Sequence, residues 1–160
     1  MINIRSAMPS DTRVIYALIR ELAVYEKLLD VVDATERMIG DALFGQTPRA
    51  FCELAEWDGQ VAGFSLWFYN FSTFRGRHGI YLEDLFVRPD FRGKGLGKAL
   101  IVSLARRCVA EDLARFEWSV LDWNAPSIAF YKALGATMQD DWTGCRVTGD
   151  ALAALAGRAA

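Results

Sequence analysis

The sequence predicts one mixed α/β domain over residues 1–160, with a central, mostly antiparallel sheet and helices on both sides. Three observations carry this. Asp58-Gly59 separates two apolar runs, two blocks of helical periodicity precede them, and an acid-bearing strand leads through a basic glycine loop into an amphipathic helix.

Ile2 to Ala7 alternates as a strand does. Pro9-Ser10-Asp11 then opens a helix with Ile15, Leu18, Ile19, Leu22 and Tyr25 in phase. Asp33 to Thr35 supply caps for a second helix running to Phe44, and Gly45-Gln46-Thr47-Pro48 ends it. Ala50 to Trp57 and Gln60 to Tyr69 flank Asp58-Gly59, a two-residue turn suited to positive φ, so they form an antiparallel hairpin. A loop holding Phe71, Phe74, Arg75, Gly76 and His78 leads to a strand over Ile80 to Val87. Gly95 to Glu111 repeats Leu96, Leu100, Leu104 and Cys108 on one helical face. Arg115 to Leu121 is a further strand. Pro126 opens a short helix through Leu134, and Gly135 ends it. Thr137 to Gln139 and Cys145 to Thr148 are candidates for a last strand pair, and Asp150 caps an alanine-rich tail.

With 52% hydrophobic and 24% charged residues, the chain can bury a sizeable core. No apolar run approaches the roughly 20 residues of a membrane helix, and the N-terminus lacks the pattern of a signal peptide, so a cytoplasmic protein with no membrane partner is expected. A net charge of -2 gives no field for nucleic acid, so none is expected as a partner. Against that background Arg88, Arg92, Lys94 and Lys98 form a local basic cluster suited to a small polyanion. One histidine and three cysteines without a CxxC pair argue against a metal site. Cys52, Cys108 and Cys145 read as reduced packing residues.

The run Tyr81-Leu82-Glu83-Asp84-Leu85-Phe86-Val87 followed by Arg92-Gly93-Lys94-Gly95-Leu96-Gly97-Lys98 carries the chemistry. Glycines let a phosphate approach the main chain, and the N–H groups of a helix start attract it. A nucleotide P-loop fails here, because Arg92 and Ala99 occupy two required positions. A dinucleotide fingerprint fails because Lys98 stands where the third glycine belongs. What fits is Arg92-x-x-Gly95-x-Gly97, the coenzyme A diphosphate signature.

On that motif the chain resembles the GNAT acyl-CoA-dependent N-acyltransferases. It is most similar to their spermidine/spermine N-acetyltransferase group, which includes diamine and thialysine enzymes. Tyr81-Leu82-Glu83-Asp84 before the loop, Trp123-Asn124-x-Pro126-Ser127-Ile128-x-Phe130-Tyr131-Lys132 after it, and Leu22-Ala23-x-Tyr25-Glu26 near the start match that group in order. The resemblance implies acetyl-CoA as cosubstrate, a small amine as acceptor, a homodimer, and two splayed strands between which the cofactor arm inserts. Phe71 to Phe74 would lie at the dimer interface.

It also implies residue roles. Arg92, Gly93, Lys94, Gly95, Leu96, Gly97 and Lys98 hold the diphosphate. Backbone groups of Leu85, Phe86 and Val87 bind the pantetheine arm and the acyl oxygen, with Asn124 and Ser127 also on the cofactor. Tyr131 lies against the thioester sulfur and protonates the leaving thiolate. Tyr25, Glu26, Glu83 and Asp84 meet the cationic substrate, and Glu83 acts on its amine, directly or through water.

The chemistry asks for such groups independently. An amine of pKa about 10.4 costs about 4.6 kcal/mol to deprotonate at pH 7, which a base lowers. In an unbroken strand Tyr81, Glu83 and Leu85 share one face and Leu82, Asp84 and Phe86 the other, so the acids point apart unless a bulge intervenes. A structural salt bridge for the acids, core packing for Tyr131, and a solvated helix end for Glu26 are the plainer alternatives. Glu117-Trp118-Ser119 departs from the group's amine-pocket strand, which weighs against long polyamines, as does the run Asp140-Asp141-Trp142-Thr143; Lys94 replaces an aromatic and adds a phosphate contact. Acetylation of a protein lysine or N-terminus, or a non-catalytic acyl-CoA sensor, are the competing functions.

Overall fold

The computed structural model describes residues 1–158 in two compact units, Met1–Ser119 and the chain from Val120 onward. In the first unit the elements are β1 (Ile2–Ser6), α1 (Thr12–Tyr25), α2 (Glu36–Phe44), β2 (Phe51–Trp57), β3 (Gln60–Ser72), β4 (Arg77–Val87), α3 (Leu96–Ala110) and β5 (Phe116–Trp118). The second holds α4 (Ala125–Ala133) and α5 (Gly149–Ala156). This is the expected mixed α/β fold. The sheet runs β1-β2-β3-β4-β5, antiparallel except for the parallel β4–β5 pair.

Local chemistry sets the boundaries. Thr35 caps α2 by accepting from the Met38 N–H at 3.2 Å. Asp58 and Gly59 sit at φ 49° and 81°, the paired left-handed conformation that joins β2 to β3 without splaying them. On one sheet face Ile15, Leu18 and Leu22 of α1 and Leu43 of α2 pack on Leu54, Phe64 and Phe86. On the other, Leu96 and Leu100 of α3 pack on Ala55 and Ala62. The two layers bury residues on both faces of β2, β3 and β4, and that burial is the main stabilising term.

Several expected boundaries move. β3 and β4 extend to Ser72 and Arg77, with Phe71 opposite His78, so these residues lie on strands and only the turn between them is loop. Ring contacts hold this end together: Phe71 and His78 meet at 5.0 Å and Tyr69 and His78 at 6.4 Å. β5 is only three residues long. The expected strands at Thr137 to Gln139 and Cys145 to Thr148 are absent; the segments are short, exposed and interrupted by Gly144, so pairing would bury almost nothing. Cys145 is correspondingly exposed rather than packed, whereas Cys52 and Cys108 are buried. Thr148, not Asp150, is the residue that precedes α5; Asp150 lies in its first turn. The last two residues of the expected domain lie outside the described ones.

Candidate active site

The site in the first unit is built around the far half of β4. β5 pairs with β4 only at Ile80, Tyr81 and Leu82, so from Glu83 to Val87 that side of β4 has no strand partner within the unit. β5 ends at Trp118, so β4 is left open along the half where the splay is expected. The Arg88 N–H donates to the Ala62 carbonyl at 2.9 Å, which sets the alternation: even-numbered residues turn their peptide groups to β3, and Leu85 and Val87 turn theirs to the open side. Of the three residues expected to bind the pantetheine arm through their backbone, Leu85 and Val87 thus face the open side, where the Val87 carbonyl accepts from Arg92 Nε at 2.9 Å. Phe86 instead faces its peptide groups to β3 and its ring to the core.

A bulge interrupts β4 at the acids. Leu66 pairs with Asp84 and the next residue, Trp67, pairs with Leu82, so Glu83 is the extra residue. The continuous alternation expected for Leu82, Asp84 and Phe86 fails here. Leu82 turns to the α3 face with Trp67, whereas Asp84 turns to the α1 face with Leu66 and Phe86. Glu83 is exposed on the bulge, close enough to Asp84 to repel its charge.

Glu26, at the end of α1, completes the group. Burial, then repulsion from Glu83 and Glu26, pushes the Asp84 carboxyl up to about 7. Burial also raises the Glu26 carboxyl. Among the described residues no hydrogen bond or ion pair engages any of the three acids. Glu117 on the neighbouring strand does not join them, since Arg115 holds it at 2.5 Å and the Asn70 amide donates to it at 3.0 Å. The Tyr81 hydroxyl pairs with Ser119 at 2.8 Å.

The glycine loop follows β4 through the turn Pro89–Phe91. Gly93 and Gly95 adopt φ of 74° and 88°, and a Cβ at Gly93 would meet nothing. Gly95 starts α3 with no side-chain cap, so the first N–H groups of the helix are open to an anion. Leu96 is buried and anchors the loop, and Gly97 lies in the first helical turn. These features fit a diphosphate.

The cations divide. Arg92 donates through Nε to the Val87 carbonyl at 2.9 Å and stacks over Tyr25 at 4.9 Å and Phe86 at 5.6 Å, tying α1 to the loop. Tyr25 is thus a support for Arg92 beside the acid cluster. Lys94 sits 5.1 Å from both the Trp57 and Phe91 rings. Lys98 is exposed on the side of α3 next to β1. Arg88, expected in the anion cluster, is committed elsewhere: its guanidinium grips Glu21 of α1 through Nε and Nη2, both at 2.9 Å, and donates to the Val61 carbonyl at 3.0 Å. Sequence spacing carried no sign of that partner, 67 residues away.

In the second unit, Asn124 is buried and caps α4 by accepting the Ser127 N–H at 3.3 Å. Tyr131 is the buried residue of α4, its ring 5.4 Å from that of Phe130. Gly135, at φ 95°, ends the helix as expected. Among the described residues no group of histidine, cysteine or acidic side chains is arranged to hold a metal.

The chain is an acyl-CoA-dependent N-acetyltransferase, an activity that the open half of β4, the bulge carrying acids and the uncapped glycine loop suit. The chain belongs to the Acetyltransferase (GNAT) family, whose model matches residues 15–136. It is 39% identical to a thialysine N-epsilon-acetyltransferase of Bos taurus over 98% of each chain. It is 32% identical to an L-ornithine N5-acetyltransferase of Arabidopsis thaliana, over 96% of this chain and 87% of that one. Its fold matches an integron cassette protein from the mobile metagenome of V. cholerae with a TM-score of 0.81, at 24% identity and 98% coverage of both.

Proposed function

We propose that the protein transfers the acetyl group of acetyl-CoA to a primary amine of a small substrate carrying two cationic groups, a short diamine or a lysine-like amino acid. The observation that carries this is the set Glu26, Glu83 and Asp84, three acids that no cation among the described residues pairs, beside the open half of β4. Like-charged carboxylates are costly together unless a cation joins them, and a substrate with two ammonium groups supplies one to bind and one to react. The relatives named for thialysine and ornithine act on diamino acids, which agrees.

In this reading the open N–H groups at Gly95 to Gly97, with Arg92 and Lys94, hold the diphosphate, and Leu85 and Val87 pair with the pantetheine arm. Asn124 and Ser127 position the same cofactor. Glu83 and Glu26 attract the substrate. Asp84, with a carboxyl near 7, has the environment of a general base at neutral pH, and it receives the ammonium proton directly or through Glu83 and water. The neutral nitrogen attacks the thioester carbonyl, and Tyr131 gives its proton to the departing thiolate.

Exposed Phe74 and half-exposed Phe71 suit a homodimer contact, which sedimentation at two concentrations tests. The test of function is free-thiol release from acetyl-CoA with thialysine, lysine, ornithine, short diamines, spermidine, spermine and a lysine peptide, less hydrolysis without amine. Turnover with diamino acids or short diamines supports the proposal. A rate only with the peptide moves the assignment to protein acetylation, and binding of acetyl-CoA with no turnover moves it to a sensor.

A further inference from the structure

β1 is the end strand of the sheet, and its outer edge is open among the described residues. Asp58 donates its N–H to the Met1 carbonyl at 3.1 Å, and Ala7 donates to the Cys52 carbonyl at 3.0 Å, so the odd-numbered residues of β1 pair inward with β2. By strand alternation the peptide groups of Ile2, Ile4 and Ser6 face outward. Among the described residues only the Ser6 carbonyl has a contact there, from Arg5 Nη1 at 3.4 Å.

α3 runs alongside this edge. A Cβ on Gly95 would lie 3.7 Å from Ile2 Cδ1, while Arg107, twelve residues on, reaches 3.9 Å from Glu53, the partner of Ser6. Helix and strand therefore run in the same sense, and between them lies a groove of about 560 Å³. Ile2, Ile4 and Val102 form its apolar floor, with Ser103 midway and Lys98 and Arg106 towards its two ends. Both cations are exposed, and among the described residues no hydrogen bond or ion pair engages either. Arg5, Arg77, Arg88, Arg107 and Arg115 are all ion-paired.

The geometry points to a docking site for an extended acidic segment of a partner protein, which adds as a strand to the β1 edge and places two carboxylates, four residues apart, on Lys98 and Arg106. The spacing fits: eight helical residues separate the cations by about 12 Å along the axis, and positions i and i+4 of a strand lie on one face about 13 Å apart. Main-chain pairing supplies affinity and the two charges supply register. A small dianion would leave the outward peptide groups of Ile2 and Ile4 unused, so the peptide is the better match.

The test uses the full chain and a fluorescein-labelled, end-blocked peptide Val-Glu-Val-Ser-Val-Glu-Val, followed by anisotropy. Saturable binding is expected, weakened at least about tenfold by Arg106→Glu, with acetyl transfer unchanged in that variant. Replacing both glutamates by lysine abolishes binding, and N-methylating the pairing amides weakens it by a similar factor. No saturation at about 1 mM peptide overturns the inference. So does equal affinity of the N-methylated peptide, which would mean charge attraction alone, or competition by glutarate at the peptide's own concentration, which would mean a small-anion pocket.

Discussion

Leu82 and Asp84 stand two residues apart on one strand yet face opposite sides of the sheet. The extra residue Glu83 causes this, and it delivers Asp84 to the α1 face, where Glu26 and partial burial act on its carboxyl. The folded protein therefore holds the Asp84 proton more tightly than the unfolded chain does, with a carboxyl near 7 rather than 3.8. The cost of ionising it is complete above about pH 7, shrinks as pH falls, and vanishes below the unfolded value. Asp84→Asn removes the charge, so it stabilises the protein at pH 8 by about 1–3 kcal/mol, and less at pH 5. Thermal unfolding at both pH values checks the sign. Activity falls in the same variant.

Tyr131→Phe removes the proton offered to the thiolate. A fall in kcat of about 10²-fold is expected, with acetyl-CoA affinity unchanged. Steady-state kinetics beside equilibrium binding separates this from a packing role, which would move melting temperature and kcat together.

Much of this was legible in the residues. Asp58-Gly59 announced the hairpin because few dipeptides accept two positive φ values, and the phase of Leu96, Leu100, Leu104 and Cys108 announced the buried face of α3. The glycine loop was legible for the same conformational reason. The bulge at Glu83 was not, since one extra residue in a pairing register leaves no mark on the strand that carries it. Nor was the fate of Arg88, because its partner Glu21 comes from a distant helix. No strands form at 137–139 and 145–148, because segments of three or four residues with only one or two apolar side chains pair only when a neighbour buries them.

Arg88 and Arg92 separate structure from ligand binding. Arg88→Ala strips Glu21 of its bidentate partner and lowers stability by about 1–3 kcal/mol, without altering the salt dependence of acetyl-CoA binding. Arg92→Ala weakens that binding and flattens its salt dependence. Thermal melts and titrations at two ionic strengths distinguish the pair.

Gly95 sits at φ 88° at the start of α3. Gly95→Ala places a side chain in left-handed backbone, at about 1–2 kcal/mol, and tilts the N–H groups that face the diphosphate. A rise in KM for acetyl-CoA of about tenfold is expected, with the KM for amine little changed.

Glu26, Glu83 and Asp84 are expected to select a substrate with two cationic groups. The most direct measurement compares kcat/KM for the best diamine or diamino acid with that for the same compound lacking its second amino group, in the wild type and in Glu26→Gln. A preference of at least about tenfold for the dicationic compound, reduced in the variant, is expected. Equal use of both compounds by the wild type would contradict it.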